Sequence, residues 1–254
     1  MVYMCVLGNY MLSTQQMLSK LRKCISEYDL ISDGDKIAVG VSGGKDSVTL
    51  LKLLAEYKRF SPQKFDLIAI SVDLQFDGNA TDFSPIENLC RELEVPFFVC
   101  RTEIGEIVFN VKKEKSPCSL CSKMRKGALY EKAKEEGANK VAIGHHSDDL
   151  IDTFLLSLMY EGRLSTFAPK SFLDRTGITL IRPMLMISES DVTSYCKNLP
   201  IVESKCPVNK HTEREYVKNV ISDIGKDVKN IREMMFSAIT HPERYNLFDK
   251  YIKK

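Results

Sequence analysis

Two hydrophobic periods alternate along this chain. Leu18, Leu21, Ile25 and Tyr28 are apolar, with Lys20, Arg22 and Lys23 between them, a spacing that predicts an amphipathic helix over 15–28. Ser32-Asp33-Gly34-Asp35 is a turn. A short apolar run over 36–41 reads as a buried strand, and helical spacing returns at Val48, Leu51, Leu54 and Ala55 for a helix over 46–57. The second strong strand is 65–73. Ser84-Pro85 then opens a helix through 93, with proline at the first helical position. A strand over 96–100, a helix over 123–136 closed by Gly137, a strand over 140–145, a helix over 148–159 and a strand over 179–183 follow. Beyond Leu185 the pattern is helical, over 189–199, 211–224 and 229–240.

Strands alternating with helices indicate βαβ units, and hence an α/β fold: a Rossmann-like parallel sheet flanked by helices, with a small helical C-terminal part. The expected organisation is an N-terminal helical segment over 1–30, an α/β domain over 31–186 and a helical extension over 187–254. Ligands of such sheets bind at the carboxyl ends of strands. Three features fall there: the glycine loop after the first strand, Asp73, and Gly144-His145-His146.

Composition changes this picture little. The chain has 254 residues, 44% hydrophobic and 28% charged, enough for a sizeable core without disulfides. A net charge of +2 does not announce a nucleic-acid binder, so an RNA partner would have to meet a local patch. Lys112, Lys113, Lys115, Lys123, Arg125 and Lys126 form one such run; the same run also suits a solvated face. Of eight cysteines, Cys5, Cys24, Cys90, Cys100 and Cys196 are scattered singly, as free thiols of a cytoplasmic protein would be. No stretch is long and apolar enough to span a membrane. Met1–Leu12 is too short and lacks a preceding basic residue, and the helical pattern starts near Met11 or Met17, either of which is a candidate native start.

The glycine loop carries chemistry. In Val41-Ser42-Gly43-Gly44-Lys45-Asp46-Ser47, two glycines permit a tight turn and close backbone approach. The following helix offers unpaired N–H groups, Lys45 a cation, and Ser42 and Ser47 hydroxyls. These parts suit a phosphate chain, although the spacing is not that of the Walker loop. The Asp46 carboxylate would repel phosphate directly, so it suits a bridging Mg²⁺. The second landmark is Cys118-Ser119-Leu120-Cys121, two thiols on one side of an expected tight turn; Cys206, followed by Pro207, offers a third. Three cysteines suit a [4Fe-4S] cluster with one iron open. A zinc site completed by His211, or a redox dithiol, remains open on the same residues. Asp148 and Asp149 open a helix and fit either N-capping or a role in activation. His145 and His146 fit pocket lining or polarisation of a substrate oxygen. Arg125 lies one helical turn past Cys121, and Asp73 is a candidate nucleoside contact.

Ser-Gly-Gly-Lys-Asp-Ser closely resembles the PP-loop of the N-type ATP pyrophosphatases. Three segments resemble one family within that group, the tRNA 2-thiocytidine synthetase (TtcA) family: 31–47, 117–130 and Ala-Ile-Gly-His-His-Ser-Asp-Asp over 142–149. They come in the family's order, and the resemblance covers roughly 17–210. It implies an adenine nucleotide alpha hydrolase-like fold over 31–186, with the CxxC as an insertion. It also implies an enzyme that adenylates the C2 oxygen of a tRNA cytidine with ATP and replaces it by sulfur. Cys118, Cys121 and Cys206 would hold the [4Fe-4S] cluster. Val41, Ser42, Gly43, Gly44, Lys45, Asp46, Ser47, Asp73, Gly144 and His145 would bind the nucleotide, and Asp46, Asp148 and Arg125 would act in catalysis. Implied partners are tRNA, a sulfur donor such as a cysteine desulfurase or sulfide, and a second copy of the chain. One departure is that Asn209 stands where better-known members carry a further cysteine. Two rival readings use the same residues: a PP-loop adenylating enzyme on another acceptor with zinc at the cysteines, or an ATP-binding adaptor without turnover.

Overall fold

The computed structural model describes residues 13–111, 117–203, 206 and 213–248. Lys112, Lys113, Lys115, His211 and the expected start region at Met11 lie outside them. In chain order the elements are α1 (Thr14–Glu27), β1 (Lys36–Gly40), α2 (Lys45–Lys58), β2 (Asp66–Asp73), α3 (Ser84–Glu92), β3 (Phe97–Arg101), α4 (Ile104–Glu106), α5 (Pro117–Glu135), β4 (Lys140–Ala142), α6 (Ser147–Glu161), β5 (Lys170–Leu173), β6 (Ile178–Ile181), α7 (Glu189–Tyr195), α8 (Glu213–Asp227) and α9 (Ile231–Thr240). They form two compact units. The larger takes the described residues up to His146 and from Pro169 to Cys206; the smaller takes Ser147–Ala168 and the described residues from Glu213 onward.

The larger unit is built on one six-stranded sheet, in the order β3-β2-β1-β4-β6-β5. Every pairing is parallel except β5 with β6. The period of two sorts the side chains: Ala38, Ile68, Ile70, Val141 and Leu180 meet Leu129 and Ala133 of α5. The residues between them, Ile37, Val39, Leu67 and Ala69, are also buried, as a sheet covered on both faces requires. Helix α2 packs on β1 and β2, and α1 and α7 pack on α2. A capping box of Ser13 and Gln16 starts α1, which buries Met17, Leu21, Cys24 and Ile25. Chain order reverses between β1, which leads outward to β2 and β3, and β4 on its other side. That is the topological switch point of the sheet.

The structure departs from the sequence expectation in three places. A sixth strand, fifth in chain order, was not expected: β5 forms an antiparallel hairpin with β6, whose turn closes on Leu173 with Gly177 at φ +72°. Its four residues alternate in exposure, with Phe172 63% exposed, so no apolar run announces it. The CxxC is not a turn. Helix α5 begins at Pro117, and Cys118 and Cys121 sit in its opening turns, three apart and therefore on one face. Strand β4 stops at Ala142, because the chain leaves the sheet to pass over α2.

The amino end of the sheet is tied by buried charge. Lys140 Nζ lies 2.6 Å from Asp35 Oδ2 and donates to Leu30 O at 2.9 Å. Asn139 donates to the other Asp35 oxygen at 2.8 Å, and Ser32 N donates to Oδ2 at 2.6 Å. Burial works against the Asp35 charge, but the Lys140 hydrogen bond, then Ser32 and Asn139, outweigh it and hold the carboxyl below its ordinary range.

The smaller unit is a three-helix body of α6, α8 and α9. Ile151, Val217 and Ile221 form its core, with Leu155, Leu156, Ile231, Met235, Phe236 and Ile239 around them. No helix among the described residues is long and apolar enough to cross a membrane.

Replacing Lys140 by Met should cost about 3–5 kcal/mol, because it strands a buried carboxylate. A carboxyl with a lowered folded pKa stabilises above its unfolded value near 3.9, and that contribution is lost as pH falls through the folded value. Urea unfolding at a series of pH values should therefore show the Lys140→Met deficit at neutral pH and its shrinkage in acid.

Candidate nucleotide and thiolate site

Strand β1 delivers the glycine loop to the carboxyl edge of the sheet at the switch point. Val41 N still donates to Ile70 O at 2.8 Å, and the chain then turns. Gly43 has φ +89°, a conformation that other residues rarely adopt. Ser47 Oγ donates to Gly44 O at 2.9 Å and accepts from Ser42 N at 3.1 Å, so the loop is braced by its own hydroxyl. Gly44 is the N-cap of α2 and makes no side-chain cap, which leaves the first amides of the helix for a ligand.

Two neighbours close on this loop. A Cβ on Gly144 would lie 2.9 Å from the carbonyl carbon and oxygen of Asp46 and 3.1 Å from Ser47 N, so the exit of β4 runs directly over the first turn of α2. On the other flank, Val202 N donates to Gly43 O at 3.0 Å, and a Cβ on Gly43 would meet Val202 Cβ at 2.8 Å. Cys206 follows Val202 by four residues.

The charges form a short chain. Lys45 Nζ lies 2.8 Å from Asp46 Oδ1 and 3.2 Å from Glu189 Oε1. His146 Nε2 lies 3.7 Å from the same Asp46 oxygen and is 3% exposed, with His145 half-buried beside it in sequence. Burial works against the Lys45 charge, but Asp46 and then Glu189 outweigh it and hold the ammonium above its ordinary value. Asp73 is buried at the end of β2, and its carboxylate accepts from Thr81 N, Thr81 Oγ1 and Gln75 N at 3.1, 2.9 and 3.2 Å. It closes the loop over 74–81.

Burial pushes the Cys121 thiol up, Arg125 pulls it down, and Cys206 and Cys118 raise it further, so Cys121 feels the charge of each of the three. Lys126 is held below its ordinary value by burial, then by Arg182 and Arg125. Among the described residues no group of three or more His, Cys, Asp or Glu is arranged to hold a single metal ion. Three thiolates are soft donors of the kind that iron–sulfur clusters and zinc both take, each thiolate of a cluster binding a different iron. Asp46, beside the loop amides, fits a Mg²⁺ that also touches phosphate.

The helical unit holds the acids of α6. Asp148, 5% exposed, pairs with Arg232 NH1 at 2.8 Å; Asp149 pairs with Arg214 NH1 at 2.8 Å. Asp152 is fully buried, 3.9 Å from Arg232 NH1. Burial pushes its carboxyl up to about 6 against the pull of Lys218, Arg214 and Arg232. Sequence reasoning found Asp148 and Asp149 but missed Glu189, Asp152, Arg214 and Arg232. Their partners are distant in sequence, and no local pattern marks a residue that answers a charge 65 positions away, as Arg214 does for Asp149.

Strand, glycine loop and helix at the switch point of a parallel sheet define a PP-loop nucleotide-binding protein. The PP-loop domain family matches residues 13–224. The tRNA-cytidine(32) 2-sulfurtransferase of Syntrophotalea carbinolica is 36% identical over 236 residues, covering 91% of this chain and 90% of that protein. Its counterpart in Acinetobacter baumannii is 33% identical over 243 residues, covering 92% of this chain and 80% of that protein. The chain belongs to the tRNA-cytidine(32) 2-sulfurtransferase family of PP-loop proteins. Among solved structures, the U34-tRNA thiolase NcsA from Methanococcus maripaludis, with its [4Fe-4S] cluster, shares the fold at a TM-score of 0.73 and 22% identity, covering 92% of this chain and 81% of that one. Helix α9, which supplies Arg232, lies beyond the matched PP-loop span.

Gly144→Ala should push the β4 exit off α2, costing about 1–3 kcal/mol and weakening nucleotide affinity; thermal melts and nucleotide titration check it. Asp152 predicts a second effect. An acid whose folded pKa is raised binds its proton more tightly in the native state, so stability rises as pH falls through the folded value of about 6. Asp152→Asn should remove that dependence, so its urea midpoint relative to the parent should be higher at about pH 7.5 than at about pH 5.

Proposed function

We propose that this chain is an ATP-dependent tRNA sulfurtransferase that adenylates the C2 oxygen of a cytidine and exchanges it for sulfur. The observation that carries the reading is 33–36% identity to tRNA-cytidine(32) 2-sulfurtransferases over about nine-tenths of the chain, with every residue of the glycine loop present at the switch point. An oxygen on a pyrimidine ring is a poor leaving group, and AMP is a good one. The amides of Gly44, Lys45 and Asp46 and the Lys45 ammonium hold the phosphates, and Ser42 and Ser47 fix the turn that presents them. Asp46 would hold Mg²⁺, which supplies positive charge between phosphate oxygens. The nucleobase oxygen attacks the α-phosphorus, the bond to the β-phosphate breaks, and pyrophosphate departs. Sulfur then takes the place of the oxygen, which leaves with AMP.

Cys118, Cys121 and Cys206 would hold a [4Fe-4S] cluster, which when bound supplies an iron without a protein thiolate for the incoming sulfur. Arg125, whose charge reaches Cys121, faces the substrate beside the thiols, and Asp148 takes part in activation. Asp73 acts by shaping the loop after β2, and Gly144 and His145 complete the nucleotide pocket. The working partners are tRNA, a sulfur donor such as a cysteine desulfurase or sulfide, and a second copy of the chain. The setting is the cytoplasm, where thiols stay reduced; the seven cysteines among the described residues form no disulfide.

Anaerobically purified protein, assayed with ATP, sulfide and tRNA, tests the scheme. Asp46→Ala should lower AMP formation about 10²-fold or more. Cys206→Ser should keep nucleotide binding, lose iron and lose thiolation. Full thiolation by Cys206→Ser, or zinc in place of iron in the parent protein, would overturn the cluster assignment.

A further inference from the structure

Glu189 belongs to none of the motifs that identify the family, yet it touches the loop lysine. Two carboxylates converge on one ammonium: Asp46 Oδ1 at 2.8 Å and Glu189 Oε1 at 3.2 Å from Lys45 Nζ. Asp46 is the next residue in the chain, so its contact is local. Glu189 comes from the first position of α7, 144 residues away. Its placement is rigid. Ser188 and Asp191 form a reciprocal capping box at the start of α7, and Asp191 is paired in turn with Lys20 of α1. Ile187 and Val192, on either side of this turn, are fully buried. The side chains of Lys45 and Glu189 are each 31% exposed, so solvent and ligand can reach the pair.

A lysine that binds phosphate needs its charge and needs to be where the phosphate arrives. A carboxylate already on that ammonium competes with the phosphate for it. We propose that Glu189 is a positioning residue of the nucleotide loop: it holds Lys45 over the loop as a resident anion, and an incoming polyphosphate takes the ammonium from it. The inference rests on the loop's being the phosphate site. It adds that the ammonium is held by an internal substitute for phosphate, so nucleotide affinity is set partly by what must be displaced. Without Glu189 one of the two carboxylates that compete for the ammonium is gone, and affinity for metal-free nucleotide rises.

The test is a double-mutant cycle on the full chain, read by calorimetric titration with adenosine 5′-(α,β-methylene)triphosphate in EDTA. The analogue cannot be cleaved where the reaction cuts, and EDTA removes divalent cations. Glu189→Gln keeps the shape of the side chain and removes its charge. It should tighten binding about two- to fivefold, the range of a partly exposed ion pair. In a Lys45→Met background the same substitution should tighten binding less, because only direct repulsion of phosphate is relieved there. Equal tightening in both backgrounds means that Glu189 repels phosphate without holding the lysine, and overturns the proposal. Unchanged or weaker binding by Glu189→Gln overturns it too. If Lys45→Met alone leaves affinity unaltered, the loop is not the phosphate site, and the reading beneath the proposal fails first.

Discussion

The carboxyl edge of this sheet depends on one backbone contact. Where β4 ends, Gly144 passes so close to the first turn of α2 that a single added carbon would sit 2.9 Å from the Asp46 carbonyl. That approach brings the His146 imidazole within 3.7 Å of the Asp46 carboxylate, over the turn in which Lys45 and Asp46 present their charges. The glycine loop supplies donors, but their common aim comes from two chain segments being forced together where the strand order reverses.

How legible this was depended on whether the cause was local. The strand–loop–helix over 36–58 could be read directly, because apolar period, glycine pair and helix start are adjacent in sequence. The thiols were also found, with the wrong local structure: Cys118 and Cys121 lie in a helix opened by Pro117, where a turn was expected. Either geometry puts residues three apart on one side, so the chemical reading does not depend on which of the two forms. Strand β5 was missed because its alternation is shallow and it exists only through its pairing with β6. The charge partners were missed for the same reason. Asp35 with Lys140, Lys45 with Glu189 and Asp148 with Arg232 join residues that only the fold makes neighbours.

These pairs serve different ends. Asp35 and Lys140 are buried at the amino edge, far from any ligand that the switch point would take, and lock strands together. Lys45 and Glu189 are half-open and exchangeable. In the helical unit, Asp148 and Asp149 each have a guanidinium, whereas Asp152 lies buried with Arg232 only at 3.9 Å. The same residue types thus act as clamp, as exchangeable contact and as a proton-sensitive strain, according to burial and the distance of the partner.

The contact between Val202 and Gly43 has an evolutionary corollary. It joins a main-chain amide to a main-chain carbonyl, four residues ahead of Cys206. No side-chain replacement at 202 deletes such a bond, apart from proline, which has no N–H to give. The tether between the thiol-bearing segment and the loop is therefore invisible to most mutation. What position 202 contributes to the register between the two segments is its main chain, which most substitutions leave in place.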